Sequence, residues 1–280
     1  MCGIVYSSPP DVRTLIAVAE CLEEYVGSLG YYKKHGRDDG IGTGLIIAYD
    51  DCVISYKGMV YIDDWIDVIK NHSAALAIAL HTRWPSPRGL RGRVEFAHPF
   101  RDCTGRILVM HNGYFPSKSA GMVLLRRGHT LLATEGDKFM DSEIIAHIIE
   151  ECIGSALYCE RYPTPSFFAR CLQCTQQRLL KLSKSPGLFL AMLQSRKALF
   201  GFSQLPMKKG SVFAMWRKGR RIMITTYKDL SVYPNDDYRA MDDRLRKIMQ
   251  ERGYKMVGVM KNNEVVVHDA AEGKLYRYSH

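Results

Sequence analysis

The sequence lacks the features that mark membrane-spanning, secreted and repeat proteins. None of its apolar runs reaches the roughly 18 residues of a membrane span, and its N-terminus has neither the basic nor the apolar region of a signal peptide. It contains no Pro/Gly/Ser-rich linker, no internal repeat and no low-complexity tract. These absences predict a cytoplasmic protein with one domain over residues 1–280. Residues 232–280 form either a small C-terminal extension or the final helix and strands of that domain.

Signatures of nucleotide-binding enzymes are also missing. The glycine-rich segment Arg37–Gly44 lacks the GxxxxGK[ST] pattern of a phosphate-binding loop, and no phosphoribosyl-binding signature is present. Within the residues up to His280 we expect no full second catalytic domain. We therefore expect no bound cofactor, and we expect any acceptor site to lie on another polypeptide.

The eight cysteines suggest either disulfides or a metal site, and we expect neither. Disulfides are rare in the reducing cytosol. A zinc site built from Cys152, Cys159, Cys171 and Cys174 is disfavoured because the last two lie inside a continuous helical pattern, whereas paired zinc cysteines usually lie on turns. These residues are predicted to pack as small hydrophobic side chains on helix faces.

The chain is strongly basic, with 39 Lys and Arg residues against 29 Asp and Glu residues and a net charge of +10. Such a balance favours anionic partners, and a nucleotide or nucleic-acid acceptor is one candidate. The densest clusters are Arg126-Arg127, Lys208-Lys209 and Arg217–Arg221. They lack the interleaved aromatic residues of a base-stacking surface, so ordinary solvated loop charge is the simpler interpretation.

Hydrophobic periodicity predicts strands, then helices, then strands again, and therefore an α+β fold with two antiparallel sheets. Buried strands and hairpins are predicted at residues 3–7, 45–49, 53–56, 74–82, 106–111, 188–193, 198–202, 212–217, 222–226, 256–260 and 264–268. Helices are predicted at residues 11–29, 141–153, 165–183 and 236–252.

The second residue is Cys2, so removal of Met1 would place a thiol and a free α-amine on the same residue. An α-amine titrates near pH ~8 and can act as the general base that activates the thiol. No separate His/Asp pair is then required. The alternative is an idle cysteine, so the other motifs decide between the two interpretations.

Three further motifs accompany Cys2-Gly3-Ile4. His81–Trp84 ends one apolar run, His111-Asn112-Gly113 ends another, and Asp141–His147 opens a helix. In order and spacing, these segments resemble the class II glutamine amidotransferases. That family includes the glutaminase domains of glucosamine-6-phosphate synthase, amidophosphoribosyltransferase, asparagine synthetase and glutamate synthase. The resemblance covers residues 2–150.

The resemblance implies a four-layer αββα Ntn-hydrolase sandwich of two antiparallel sheets. It implies that Cys2 is the nucleophile, with its α-amine as base and later acid, and that Asn112 and Gly113 stabilise the oxyanion. It further implies that Arg83 binds the α-carboxylate of glutamine and Asp141 its α-ammonium group. The alternatives are a surface ion pair for Arg83, a helix N-cap for Asp141 and a simple turn for Asn112-Gly113.

The chain also departs from the family pattern. The usual Trp-Ala-Thr-His-Gly appears as Trp84–Gly89, in which Ser86 can replace the Thr hydroxyl but the His is missing. The usual Asn-Ala-His-Pro appears as Phe96–Pro99, which retains His98. We expect Trp84, Ser86 and His98 to border the bound substrate. The coupling of this loop to an acceptor site is expected to differ from that of the family.

The sequence therefore predicts a glutaminase subunit that hydrolyses L-glutamine through a Cys2 thioester and supplies ammonia to a separate synthase. Two alternatives remain open. The protein could be a self-sufficient amidohydrolase acting on another γ-glutamyl compound, or a non-catalytic basic adaptor that keeps the fold. The joint presence of Cys2, Arg83, Asn112 and Asp141 argues against the adaptor.

Overall fold

The computed structural model describes residues 3–28, 42–83, 93–136, 138–154, 163–195, 197–207, 211–228 and 236–279. The chain divides into two compact units. The first unit comprises Met1–Tyr49, Val53–Pro99 and Lys209–Val259, and the second comprises Asp50–Cys52, Phe100–Lys208 and Met260–His280.

The first unit contains a seven-stranded antiparallel sheet in the order β13-β11-β12-β1-β4-β2-β3. Its strands are β1 (Gly3–Ser8), β2 (Gly42–Ala48), β3 (Val53–Met59), β4 (Ala77–Arg83), β11 (Ser211–Lys218), β12 (Arg221–Lys228) and β13 (Lys255–Val259). The central strands β1, β2 and β4 are buried along their whole lengths, which explains why they appear in the sequence as continuous apolar runs.

Three helices belong to the first unit: α1 (Val12–Ser28), α2 (Ile66–Asn71) and α6 (Asp236–Glu251). Helix α1 packs against β1, β4 and α6. Its apolar residues recur at helical spacing and join the sheet side chains in one core, whose helical members include Leu15, Val18, Leu22, Leu245 and Met249. A short 3₁₀ turn, Ile62–Trp65, precedes α2, and a second lies at Val94–Phe96.

The second unit contains a six-stranded antiparallel sheet in the order β15-β14-β10-β9-β6-β5. Its strands are β5 (Phe100–Arg101), β6 (Ile107–Asn112), β9 (Leu188–Gln194), β10 (Ala198–Ser203), β14 (Val265–Asp269) and β15 (Lys274–Tyr278). Two short strands, β7 (Thr134–Glu135) and β8 (Lys138–Phe139), pair separately.

The helices of the second unit are α3 (Lys118–Arg126), α4 (Asp141–Ile153) and α5 (Pro165–Leu182). The start of helix α5 is fixed by its local sequence. Thr164 is the N-cap, whose Oγ1 accepts a hydrogen bond from Phe167 N at 3.2 Å, and Pro165 occupies the first helical position. Helices α4 and α5 pack on each other, α4 packs on β6, and α5 packs on β10 and β14. Their apolar faces form the second core.

The absence of disulfides predicted from the sequence is wrong. Cys152 on α4 is bonded to Cys174 on α5, with a Cα–Cα distance of 6.1 Å. The two residues are 22 positions apart and meet only because their helices pack, which spacing alone does not indicate. Cys171 is buried on α5 and forms no disulfide, as predicted, and Cys159 lies outside the described residues.

The α+β class and each of the predicted strands and helices are confirmed, with shifts of a few residues at their ends. The sequence analysis missed the short elements α2, α3, β5, β7, β8 and β15. Residues 236–279 contribute α6 and β13 to the first unit and β14 and β15 to the second. The count of one domain stays a prediction. None of the described helices is both long and apolar enough to cross a membrane.

A buried glutamine on α5 provides a test of this packing. Gln176 Nε2 donates to Ser203 Oγ at 2.8 Å and to the Glu264 carbonyl oxygen at 3.2 Å, which connects α5 to the end of β10 and to the residue before β14. Gln176→Leu removes the donor but keeps the apolar bulk. We expect it to lower the free energy of unfolding by about 1–3 kcal/mol, measured by urea denaturation.

Gln177→Leu is the matched control, because Gln177 is exposed on the same helix. Its effect should stay within about 0.5 kcal/mol. Equal midpoints for the two variants would contradict a stabilising role for the Gln176 hydrogen bonds.

Candidate active site

In the first unit, Arg83 is the last residue of β4 and pairs in register with Gly42 of β2. Its side chain is buried, and its Nη1 atom donates a hydrogen bond to the carbonyl oxygen of Phe96. This contact fixes the direction of the guanidinium, whose planar, forked geometry is the one that suits a carboxylate. The alternative of a surface ion pair does not suit a side chain that is 4% exposed.

His98 lies close to β2 and β4 in the same unit. The ring centroids of His98 and His81 are 3.8 Å apart, and both rings are buried. Gly44 on β2 permits this approach: a Cβ at that position would lie 1.9 Å from the carbonyl oxygen of His98. Gly44 therefore allows the Phe96–Pro99 segment to approach β2 closely. The same strand carries Gly42, the register partner of Arg83.

The N-terminal end of β1 lies beside the end of β4. Gly3 pairs in register with Thr82, and Gly3 N donates to Thr82 Oγ1 at 3.2 Å. A Cβ at Gly3 would lie 2.8 Å from both Leu22 Cβ and Thr82 Oγ1. The predicted nucleophile Cys2 and the predicted substrate contacts Trp84 and Ser86 lie outside the described residues, as does most of the glycine-rich segment before β2.

In the second unit, Asn112 ends β6 opposite Leu188 and is buried, while Gly113 immediately after it is exposed. A Cβ at Gly113 would lie 2.2 Å from the Pro186 carbonyl oxygen, and a Cβ at Gly187 would lie 2.2 Å from the Asn112 carbonyl oxygen. The two chain segments are in backbone contact that only glycine permits. The Asn112-Gly113 backbone is therefore rigidly placed at an exposed strand end.

His111 is part of the same strand end and connects it to α4. Its Nε2 atom lies 2.8 Å from the Pro186 carbonyl oxygen, which can only accept, so Nε2 carries the hydrogen. Its Nδ1 atom lies 3.3 Å from Ser142 Oγ and 3.9 Å from Asp141 Oδ1. The imidazole thus links β6, the segment before β9 and the first turn of α4.

Asp141 is the first residue of α4, one position after the N-cap Met140. Its Oδ1 accepts from Ser142 N at 2.8 Å, and its Oδ2 accepts from Phe115 N at 3.4 Å. A carboxylate at a helix N-terminus is stabilised by the helix dipole. The side chain keeps 13% exposure, so part of the carboxylate is accessible to a ligand.

The second unit therefore brings Asn112, Gly113 and Asp141 into one neighbourhood, and the first unit does the same for Arg83 and His98. An amide and an exposed backbone at a rigid strand end can stabilise an oxyanion, and an accessible carboxylate can bind an ammonium group. The sequence analysis missed the positioning roles of Ser142, Gly187 and Gly44. The Pro186-Gly187 dipeptide before an apolar run was the one available signal for Gly187.

Comparison with known proteins finds relatives in sequence and in fold. The chain is 31% identical over 154 residues to the glutamine–fructose-6-phosphate aminotransferase of Pyrococcus horikoshii, an alignment that covers 54% of this chain and 23% of that protein. It is also 31% identical over 167 residues to the enzyme of the same name from Thermotoga maritima, covering 54% of this chain and 22% of the relative. No protein-family model matches the chain.

Among solved structures, the chain resembles the glutamine phosphoribosylpyrophosphate amidotransferase of B. subtilis. The TM-score is 0.61 at 12% identity, and the match covers 99% of this chain and 49% of the other. At this identity the likeness shows the fold alone, and it agrees with the predicted α+β class with two antiparallel sheets. The chain spans about a quarter of the length of the curated relatives it matches. Together, sequence and fold confirm the resemblance to class II glutamine amidotransferases.

Gly44 provides a test of the geometry around His98. Gly44→Ala would place a methyl group against backbone atoms of His98, which cannot rotate away as a side chain would. We expect this variant to lose about 1–3 kcal/mol of unfolding free energy in urea denaturation.

Gly42→Ala is the matched control on the same strand. A Cβ at Gly42 would have its nearest neighbour, Arg83 Cδ, at an ordinary 3.4 Å. Its unfolding free energy should stay near that of the wild type. Equal unfolding free energies for Gly44→Ala and Gly42→Ala would show that the close approach of β2 to His98 does not constrain this region.

Proposed function

We propose that this chain, which carries a class II, Ntn-type glutamine amidotransferase domain, hydrolyses L-glutamine to glutamate and ammonia. The thiol of Cys2 attacks the side-chain amide carbon, and its proton passes through the α-amine to the departing nitrogen. Ammonia leaves, and a γ-glutamyl thioester remains on Cys2. Water activated by the same α-amine then cleaves the thioester to give glutamate and the free thiol.

The observation that carries this proposal is the backbone contact at the end of β6. Pro186 and Gly187 pack against Asn112 and Gly113 so closely that neither glycine tolerates a side chain. An oxyanion site requires donors that are already in place before charge develops, because donors that must reorganise give up much of their benefit. The exposed Gly113 and the buried Asn112, which lie on this tightly packed backbone, support their proposed role as donors.

The remaining roles follow from charge and burial. Arg83 is proposed to bind the α-carboxylate of glutamine, and Asp141 its α-ammonium group. Cys2 is bonded to Gly3, which pairs with Thr82 directly before Arg83, and this connection supports a nucleophile close to the carboxylate-binding residue. Trp84, Ser86 and His98 are proposed to border the substrate.

The ammonia is proposed to pass to a separate synthase partner in the cytoplasm. The relatives named above are aminotransferases about four times the length of the region matched here. The net charge of +10 supports an anionic partner or acceptor, with a nucleotide or nucleic acid as the candidate class.

Cys2 provides the first test of the proposed mechanism. Intact-mass analysis should find a chain that lacks Met1, since the α-amine must be free to act as base. A diazoketone analogue of glutamine should add once, at Cys2. Cys2→Ala should abolish both labelling and ammonia release from glutamine.

Cys52→Ala is the matched control, because Cys52 is a free, exposed thiol. This variant should label and turn over like the wild type. Labelling at Cys52 or Cys103 in the wild type, or glutamine hydrolysis by Cys2→Ala, would overturn the assignment. Full activity on another γ-glutamyl amide without glutamine turnover would favour the self-sufficient amidohydrolase.

Arg83 and Asn112 should affect different steady-state parameters. Arg83→Lys keeps the charge but loses the forked donor for a group bound in both ground and transition states, so KM for glutamine should rise more than kcat falls. Asn112→Ala removes a donor that acts as the oxyanion forms, so kcat should fall by about 10²–10³ with a smaller change in KM.

The control for both variants is Arg101→Lys, a conservative change at an exposed position of β5. Circular dichroism and thermal denaturation would verify that each variant is folded. Parallel changes of kcat and KM in Arg83→Lys and Asn112→Ala would contradict the division of roles.

A further inference from the structure

A second cluster of reactive side chains lies in the second unit, apart from the residues assigned above. It consists of Cys103, His129, His147 and Glu150. Each residue offers one atom able to bind a metal ion, and these four atoms all lie within 4.8 Å of one another. No step of the proposed glutaminase reaction uses them.

Three separate chain segments deliver these ligand atoms. Cys103 lies in the turn between β5 and β6, where Asp102 accepts hydrogen bonds from Thr104 N at 3.2 Å and Ile107 N at 2.9 Å. His129 follows the end of α3. His147 and Glu150 are three residues apart on α4 and therefore lie on one helix face. The convergence depends on tertiary structure and is not visible as a sequence motif.

The sulfur–nitrogen distances in the cluster match tetrahedral zinc coordination, and the nitrogen–oxygen distances are slightly shorter than the tetrahedral values. Zinc bond lengths of about 2.0–2.1 Å to nitrogen, 2.0–2.2 Å to oxygen and 2.3 Å to sulfur imply separations of about 3.4 Å between nitrogen and oxygen and about 3.6 Å between sulfur and nitrogen. Cys103 Sγ lies 3.6 Å from His129 Nδ1 and 3.7 Å from His147 Nδ1. Glu150 Oε2 lies 3.1 Å from His129 Nδ1 and 3.0 Å from His147 Nδ1.

We infer that these four residues form a zinc site. A thiolate, two imidazoles and one carboxylate match the ligand preferences of Zn²⁺, whereas Mg²⁺ and Ca²⁺ prefer oxygen ligands alone. Four protein ligands close the tetrahedron, which is typical of a structural zinc site. The exposed side of Cys103 gives the ion a path of entry from solvent.

Surrounding residues orient the ligands. The second ring nitrogen of His129, Nε2, lies 3.4 Å from Glu151 Oε1, which is the usual carboxylate partner of a metal-bound imidazole. Glu151 is itself held by Arg127 Nη1 at 2.8 and 2.9 Å and by Arg178. Thr130 N donates to Cys103 Sγ at 3.4 Å and thereby holds the sulfur in place. His147 Nε2 is buried with no hydrogen-bond partner among the described residues, so the contacts at Nδ1 orient this ring.

Cobalt(II) is the probe, because it occupies tetrahedral zinc sites and reports its ligands by absorption. Untagged, chelator-treated and reduced protein should bind one Co²⁺ per chain, with a thiolate-to-cobalt charge-transfer band and tetrahedral d–d bands. Added Zn²⁺ should abolish both. Cys103→Ser should remove the charge-transfer band and weaken binding at least tenfold, while Cys52→Ser, the matched exposed-thiol control, should bind like the wild type.

The same titration on Cys2→Ala separates this site from the N-terminal thiol and amine, which could chelate a metal themselves. The cobalt spectrum should persist in that variant whether or not the protein is a glutaminase. Glu151→Gln should weaken Co²⁺ binding about 10–100-fold, as loss of an orienting carboxylate does, whereas Glu272→Gln on the exposed surface should not.

Three results would overturn the zinc site. The first is a wild type that binds no Co²⁺ at stoichiometric concentration, which would leave a hydrogen-bonded cluster without metal. The second is a charge-transfer band that survives Cys103→Ser, and the third is the loss of that band in Cys2→Ala.

Discussion

The candidate site depends on backbone packing against backbone at two glycines. At Gly113 and Gly187 the segments after β6 and before β9 touch with no side chain between them, and a methyl group on either would lie 2.2 Å from a carbonyl oxygen. The contact fixes the Asn112 carbonyl and places Pro186 O where it accepts from His111 Nε2. His111 in turn lies beside Ser142 and Asp141 in the first turn of α4. The backbone contact at the two glycines therefore contributes to the position of the N-terminus of α4.

A related constraint acts in the first unit through Gly44. The carbonyl oxygen of His98 occupies the space that a side chain would take, and β2 pairs with β4 up to the Gly42–Arg83 position. Arg83 in turn donates to Phe96 O. The strand end and the Phe96–Pro99 segment are therefore mutually positioned by β2. In each unit a candidate site residue lies at the end of a paired strand, Arg83 on β4 and Asn112 on β6. Its backbone cannot shift without breaking hydrogen bonds between strands.

The sequence was sufficient for the long elements, because buried strands and amphipathic helices have clear periodicity. The roles of the residues in the candidate motifs stay predictions. The sequence was insufficient for the elements and bonds that depend on tertiary contacts. Helix α3 contains Gly121 at a position that the ring of Phe139 requires to be free of a side chain, and this glycine weakened the helical signal. The Cys152–Cys174 disulfide and the Cys103 cluster join segments whose proximity no spacing rule predicts. The location of Cys2 stays a prediction, since it lies outside the described residues.

Helix α4 connects the two groups of functional side chains in the second unit. Asp141 begins it beside Phe115 N, and six residues later, about 9 Å along the axis, His147 contributes its Nδ1 atom to the Cys103 cluster, which consists of Cys103, His129, His147 and Glu150. A helix packed only by apolar contacts can slide or rotate at modest cost, whereas bonds at separate points along its length define its register. The Cys103 cluster would restrain its middle, and the disulfide at Cys152 restrains its last turn. The proposed contact of Asp141 with an ammonium group would benefit from a helix held in this way.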